Sequence, residues 1–116
     1  MPGGDFPTRK GVLDALLAGC IPVVFQESTA PSQWPWHWAD SETAQRCTHL
    51  VSREDFMGNP RRSFDELVSL ARNEEFVQAK RRCLRDVGHR MQYNLPGTGP
   101  FDTVDAVDIV LARLLY

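Results

Sequence analysis

The chain has 116 residues, about one domain, and its 42% hydrophobic and 24% charged residues are ordinary for a soluble globular protein with a core of its own. A net charge of −2 argues against a nucleic-acid binder, which carries a basic excess on one face. The longest apolar runs, Val12–Leu17 and Cys20–Phe25, are far too short to cross a bilayer.

Met1 leads directly into Pro2-Gly3-Gly4-Asp5, which is not a secretory signal pattern. Glycine-proline loops sit between elements, so the first element of the domain is expected to be missing. Lys10–Ala18 reads as a helix, because Val12, Leu13, Leu16 and Leu17 recur at helical spacing and Gly19 can stop it. Ile21-Pro22-Val23-Val24-Phe25 is a continuous apolar, β-branched run suited to an interior parallel strand, with the preceding helix packed on the sheet. Pro22 near its start is tolerable there. Gln26–Gln45 is expected to be a long irregular stretch holding the aromatic cluster Trp34-Pro35-Trp36-His37-Trp38. Thr48–Val51 is a weak second strand, followed by a polar turn through Asn59-Pro60.

Helices are expected beyond this point. Ser63 can cap one, with Glu66 at the capping-box position, running to about Arg72. Asn73 can cap the next, whose Phe76, Val77, Cys83, Leu84, Val87 and Met91 form one stripe. Arg81, Arg82 and Arg85 lie on its other faces, where they read as a solvated surface rather than a phosphate patch. Asn94–Pro100 is a Gly/Pro loop, and Asp102 or Thr103 starts a last helix with Val104, Val107, Leu111, Leu114 and Leu115 on one side and Ile109 opposite. The order predicts an α/β fold with a small parallel sheet flanked by helices and a mostly helical C-terminal part. Cys20, Cys47 and Cys83 fit no metal-ligand spacing and, being three, build no disulfide framework. They read as buried apolar thiols, with a single Cys47–Cys83 bridge left open if the chain is lumenal.

Chemistry concentrates between Gly4 and Val24. A glycine-containing loop ends at a helix N-terminus, where free backbone N–H groups and the helix dipole favour an anion. Thr8 adds a hydroxyl, and Arg9 and Lys10 add cations that can pair with a diphosphate. Asp14 lies one turn beyond Lys10, where a carboxylate can accept hydrogen bonds from a ribose, and Gly11 leaves room for close approach. The same residues also suit plain structural roles: Thr8 as an N-cap, Arg9 and Lys10 as surface charges, Asp14 as a first-turn acid.

The string Gly4-Asp5-Phe6-Pro7-Thr8-Arg9-Lys10, then Asp14-Ala15 and Ala18-Gly19-Cys20-Ile21-Pro22-Val23-Val24, resembles the motif of the exostosin family of glycosyltransferases. The resemblance continues through Arg81–Tyr93 and Asp105–Asp108, and is weakest at Trp34–Trp38. It implies the C-terminal, nucleotide-sugar-binding half of a GT-B fold across residues 1–116, with the acceptor-binding N-terminal half absent. It also implies inverting transfer of a sugar, chiefly from a UDP-sugar, to a glycan or glycoprotein acceptor. No bound metal is expected, because cationic side chains and a helix N-terminus balance the diphosphate. The family's members are type II membrane proteins of the Golgi or endoplasmic reticulum, with this part on the lumenal side.

Carried over residue by residue, Thr8, Arg9 and Lys10 would meet the diphosphate and Asp14 the ribose, with Asp5, Gly11 and Glu27 near the cleft. Many relatives place an arginine where this chain has Gly11, so the charge here falls on Arg9 and Lys10 instead. His37, Asp40 and His49 are assigned no catalytic role, since the base of such enzymes usually comes from the N-terminal side of the cleft. The alternative is a non-catalytic chain, a truncated or degenerate copy that binds a nucleotide or a protein. With half the enzyme missing, the last helix and the Trp34–Trp38 loop are expected to expose apolar surface, leaving the chain prone to self-associate and inactive alone.

Overall fold

The structure is a computed structural model that describes residues 10–93 and 104–116. In chain order the elements are α1 (Lys10–Leu17), β1 (Val23–Val24), α2 (Thr29–Ser32), α3 (Ser41–Cys47), β2 (His49–Leu50), α4 (Arg53–Gly58), α5 (Pro60–Arg72), α6 (Glu74–Gly88) and α7 (Ala106–Leu115). A single 3₁₀ turn, His89–Met91, follows α6. The chain is thus mostly helical around a small parallel sheet, an arrangement compatible with an α/β fold.

Helix α1 buries Val12 and Leu16, two of its four regularly spaced apolar residues, and half-buries Leu13. Its end is a Schellman motif: Cys20 N–H donates to Ala15 O at 2.8 Å and Gly19 N–H to Leu16 O at 3.0 Å. Gly19 adopts φ +77°, a left-handed conformation that any residue with a Cβ enters at a cost. The chain then reverses into β1.

The sheet differs from expectation in extent. β1 and β2 pair in parallel, Val23 opposite His49 and Val24 opposite Leu50. His49 N–H donates to Pro22 O and Val51 N–H to Val24 O, each at 2.9 Å. The expected five-residue strand Ile21–Phe25 is therefore two residues long, because a strand lasts only as far as its partner runs beside it. Among the described residues β1 has one hydrogen-bonded neighbour, so it is not the interior strand expected. Val24 is buried, whereas Ile21, Val23 and Phe25 are half-buried. Helix α1 packs chiefly against α6 rather than on the sheet.

Residues 26–45 also correct the sequence reading, since α2 and the start of α3 occupy part of the stretch expected to be irregular. Asp40 caps α3 by accepting from Thr43 N–H at 2.6 Å. Trp38 is 1% exposed and donates its indole N–H to Gln33 O at 2.8 Å, so it belongs to the core rather than to an exposed loop. Trp34 is half-buried against that core, and of the three tryptophans Trp36 alone is exposed. An indole supplies a large apolar area with one donor, and the turn before it presents an acceptor.

The polar segment after β2 is α4, capped by Ser52, and Asn59 then caps α5. Asn59 Oδ1 accepts from Arg62 N–H at 3.1 Å and Pro60 takes the first helical position, so α5 begins before Ser63. Ser63 is buried within the helix and is not its cap. Asn73 caps α6 as expected, accepting from Phe76 N–H at 3.1 Å. Cys83, Leu84, Val87 and Met91 of its stripe are buried with Leu16, Ala30, Trp38, Ala44 and Cys47, forming the core. Arg81, Arg82 and Arg85 face solvent.

The cysteines are not three buried thiols. Cys47 of α3 and Cys83 of α6 form a disulfide with a Cα–Cα separation of 5.2 Å, and Cys20 is a free, exposed thiol. The segment expected as a loop at 94–100, and Asp102 and Thr103, lie outside the described residues. Asp105 caps α7 through a capping box with Asp108. Ile109 is buried, while Val104, Val107, Leu111, Leu114 and Leu115 are exposed, so the apolar stripe faces outward. The helix is anchored at its start, where Ala106 N–H donates to Gln92 O at 2.9 Å and His37 Nε2–H donates to Ala106 O at 3.1 Å. That tether, not the longer apolar stripe, decides which face points inward.

Candidate functional site

The candidate anion site begins where α1 begins. Asp5, Thr8 and Arg9 lie outside the described residues. Lys10 and Gly11 form the first turn of α1, and Asp14 follows one turn later. Lys10 Nζ grips both oxygens of Asp14, at 2.7 and 2.8 Å, on the outer surface of the helix. Both partners are exposed, so this i, i+4 pair contributes little to stability and opens readily. The geometry keeps a cation and a carboxylate side by side at the helix start, each held by the other.

Glu27 is exposed in the turn after β1, and no ion pair or hydrogen bond among the described residues joins it to Lys10, Gly11 or Asp14. The structure therefore brings Lys10 and Asp14 together. Among the described residues no group of three His, Cys, Asp or Glu could hold a metal ion. No helix among them is long and apolar enough to cross a membrane.

The side chains considered and set aside as bases have structural duties. Asp40 holds the N-terminus of α3, and the Thr43 hydrogen bonds keep its carboxyl below the usual carboxylate range. His37 is buried, its Nε2–H given to Ala106 O, with Nδ1 unpartnered. Its own carbonyl accepts from Arg90 Nε at 2.7 Å. His49 opens β2, half-buried, and burial together with the Lys80 ammonium pushes its imidazole below the ordinary value.

A cavity of about 530 Å³ lies elsewhere. It is an apolar groove at the C-terminal end of α1, lined by Cys20, Ile21, His49, Leu70, Phe76 and Arg81 among others. With Arg81 as its one charged residue, this lining does not suit a diphosphate. The cluster of His49, Phe76 and Lys80 at the groove was not singled out in the sequence. His49 lies 27 residues from Phe76 and 31 from Lys80, and no motif links it to them.

No family model matches the chain and no solved structure matches it. Its sequence relatives are glycosyltransferases. One, named probable xyloglucan galactosyltransferase, from Arabidopsis thaliana, is 36% identical over 98% of this chain and 26% of its own length. A second Arabidopsis thaliana protein with that name is 34% identical over 97% of this chain and 23% of its own length. A third from the same plant, xyloglucan-specific galacturonosyltransferase 1, is 41% identical over 47% of this chain and 8% of its own length. The chain spans about a quarter of the length of the curated relatives it matches most fully.

Proposed function

We propose that this chain is the nucleotide-sugar-binding part of a glycosyltransferase of the exostosin type, a GT-B enzyme that transfers sugar with inversion. The observation that carries the reading is the 36% identity to a probable xyloglucan galactosyltransferase along nearly the whole chain. In this reading the donor diphosphate binds at the start of α1, between Thr8, Arg9 and Lys10. An arriving diphosphate competes with Asp14 for the Lys10 ammonium. The freed carboxylate then accepts hydrogen bonds from the ribose hydroxyls, so one exchange of partners readies both contacts. Gly11 admits the phosphate to the backbone N–H groups of the helix, and Asp5 and Glu27 lie towards the cleft. Cations and the helix N-terminus stabilise the leaving diphosphate without a bound metal.

The relatives' names pair a galactosyl with a galacturonosyl donor, which differ in oxidation at the sugar's terminal carbon and share the galacto configuration. We therefore propose a UDP-linked galacto-configured sugar as donor and a xyloglucan-type glycan as acceptor. The acceptor site and the catalytic base are assigned to polypeptide beyond this chain, the N-terminal half of the enzyme. The Cys47–Cys83 disulfide supports a lumenal place in the Golgi or endoplasmic reticulum, where such bonds persist.

Titration calorimetry with UDP tests the donor site. The chain is expected to bind, and R9A combined with K10A to weaken binding by about 2 kcal/mol, roughly thirtyfold in Kd. Absence of UDP binding at millimolar concentration, or equal binding by the double variant, would remove the assignment. A second expectation concerns the apolar stripe of α7, where Leu114 is 71% exposed and Leu115 73%. Such a patch favours association, so light scattering should detect oligomers that L111E combined with L114E disperses. A monodisperse wild-type chain would contradict this.

A further inference from the structure

Beside the Cys47–Cys83 disulfide, a short run of contacts holds the α3–β2 junction to α6. Lys80 Nζ donates to Arg46 O at 2.9 Å and to Thr48 O at 2.5 Å, closing the end of α3 and reaching the residue before β2. The same ammonium lies 5.6 Å from the centre of the Phe76 ring. His49 meets that ring edge-on, with centroids 5.5 Å apart and planes at 90°. Phe76 is thus shared by a permanent cation and an imidazole, in a half-buried place. Both His49 and Phe76 line the apolar groove.

The charges facing His49 are all of one sign. From α6 come Lys80 and Arg81, the latter on the groove wall. The α3 side offers the Arg46 carbonyl, its guanidinium lying on the exposed surface. The α5 wall of the groove is apolar, formed by Leu67, Val68, Leu70 and Ala71, and the α1–β1 connection contributes the Cys20 thiol and Ile21. The first-turn acids of α6, Glu74 and Glu75, are exposed and form no ion pair among the described residues. No carboxylate among the described residues pairs with His49, Lys80 or Arg81.

We propose that His49, Phe76 and Lys80 form an acid-sensitive joint: a proton on His49 weakens the hold of α6 on β2 and loosens the floor of the groove. The second cation meets Lys80 across a half-buried ring with no acid to share it. The loosening falls on hydrogen bonds that tie β2 to β1, among them those from His49 N–H to Pro22 O and from Val51 N–H to Val24 O.

The sign follows from linkage. A released His49 titrates at the ordinary value of 6.5, and the docked one lower, through burial and then Lys80. Above that ordinary value both forms are neutral and the joint is at full strength. As pH falls through it, the released form takes the proton first, and the docked form loses ground until its own lower value is passed.

Ring-resolved NMR titration and amide hydrogen exchange on the full chain test the joint. His49 should titrate below 6.5, and K80M should move its midpoint upward. Protection of the His49 and Val51 amides should fall several-fold between pH 7 and pH 5, while amides in the middle of α5 hold theirs. In H49Q that selective fall at Val51 should be lost. The proposal is overturned if wild-type His49 titrates at 6.5 or above, or if H49Q keeps the same acid-dependent loss at Val51. The wild-type titration decides the question even if K80M does not fold.

Discussion

Replacing Cys47 and Cys83 together by serine is expected to destabilise the fold by about 3–4 kcal/mol, because the bond removes the freedom of a 36-residue separation from the unfolded chain. Against a total stability of about 5–15 kcal/mol for a domain, that is a large share. The bond also joins the two helices that line most of the core, and both sulfurs lie in it. Urea unfolding of the oxidised chain, the chain with reductant and the double serine variant checks this. The midpoint should fall strongly in the last two, and native thiol titration of the oxidised chain should find one reactive thiol, Cys20. An unchanged midpoint on reduction would show that the core holds α3 to α6 without the bond.

Trp38→Ala should cost about 3–5 kcal/mol, as expected for emptying a large, fully enclosed aromatic site. The indole is the largest of the fully buried side chains. Its removal also takes away the indole N–H that the Gln33 carbonyl accepts at 2.8 Å. Trp38→Phe restores part of the volume without the donor and is expected to lose about half as much. Equilibrium denaturation followed by circular dichroism separates the two variants. A small effect of the alanine change would mean that the stretch around residues 34–38 packs loosely on the core.

The Lys10–Asp14 pair was legible because it is local. Lys10, Gly11 and Asp14 sit within five consecutive positions, and the Lys10–Asp14 pair follows from an i, i+4 spacing on any helix. What local reading missed is that the cation and carboxylate satisfy one another, so neither stands unpaired. Glu27 is the opposite case: its place after a strand suggested the cleft, but its position relative to α1 is a tertiary matter that the local sequence does not carry.

The sequence by itself determined the elements whose energetics are short-range. Gly19 closes α1 because only a residue without a Cβ enters a positive φ freely, and Asn73 caps α6 because its side chain reaches an N–H three residues on. The parallel pairing of β1 with β2, the disulfide and the burial of Trp38 were decided by packing between segments far apart in the chain. So was the inward face of α7, where Val107, Leu111, Leu114 and Leu115 lie outward and Ile109 lies inward. Periodicity tells which residues share a face. Which face is buried depends on what the rest of the chain presents to it, and here the tether of Ala106 to His37 and Gln92 sets the orientation.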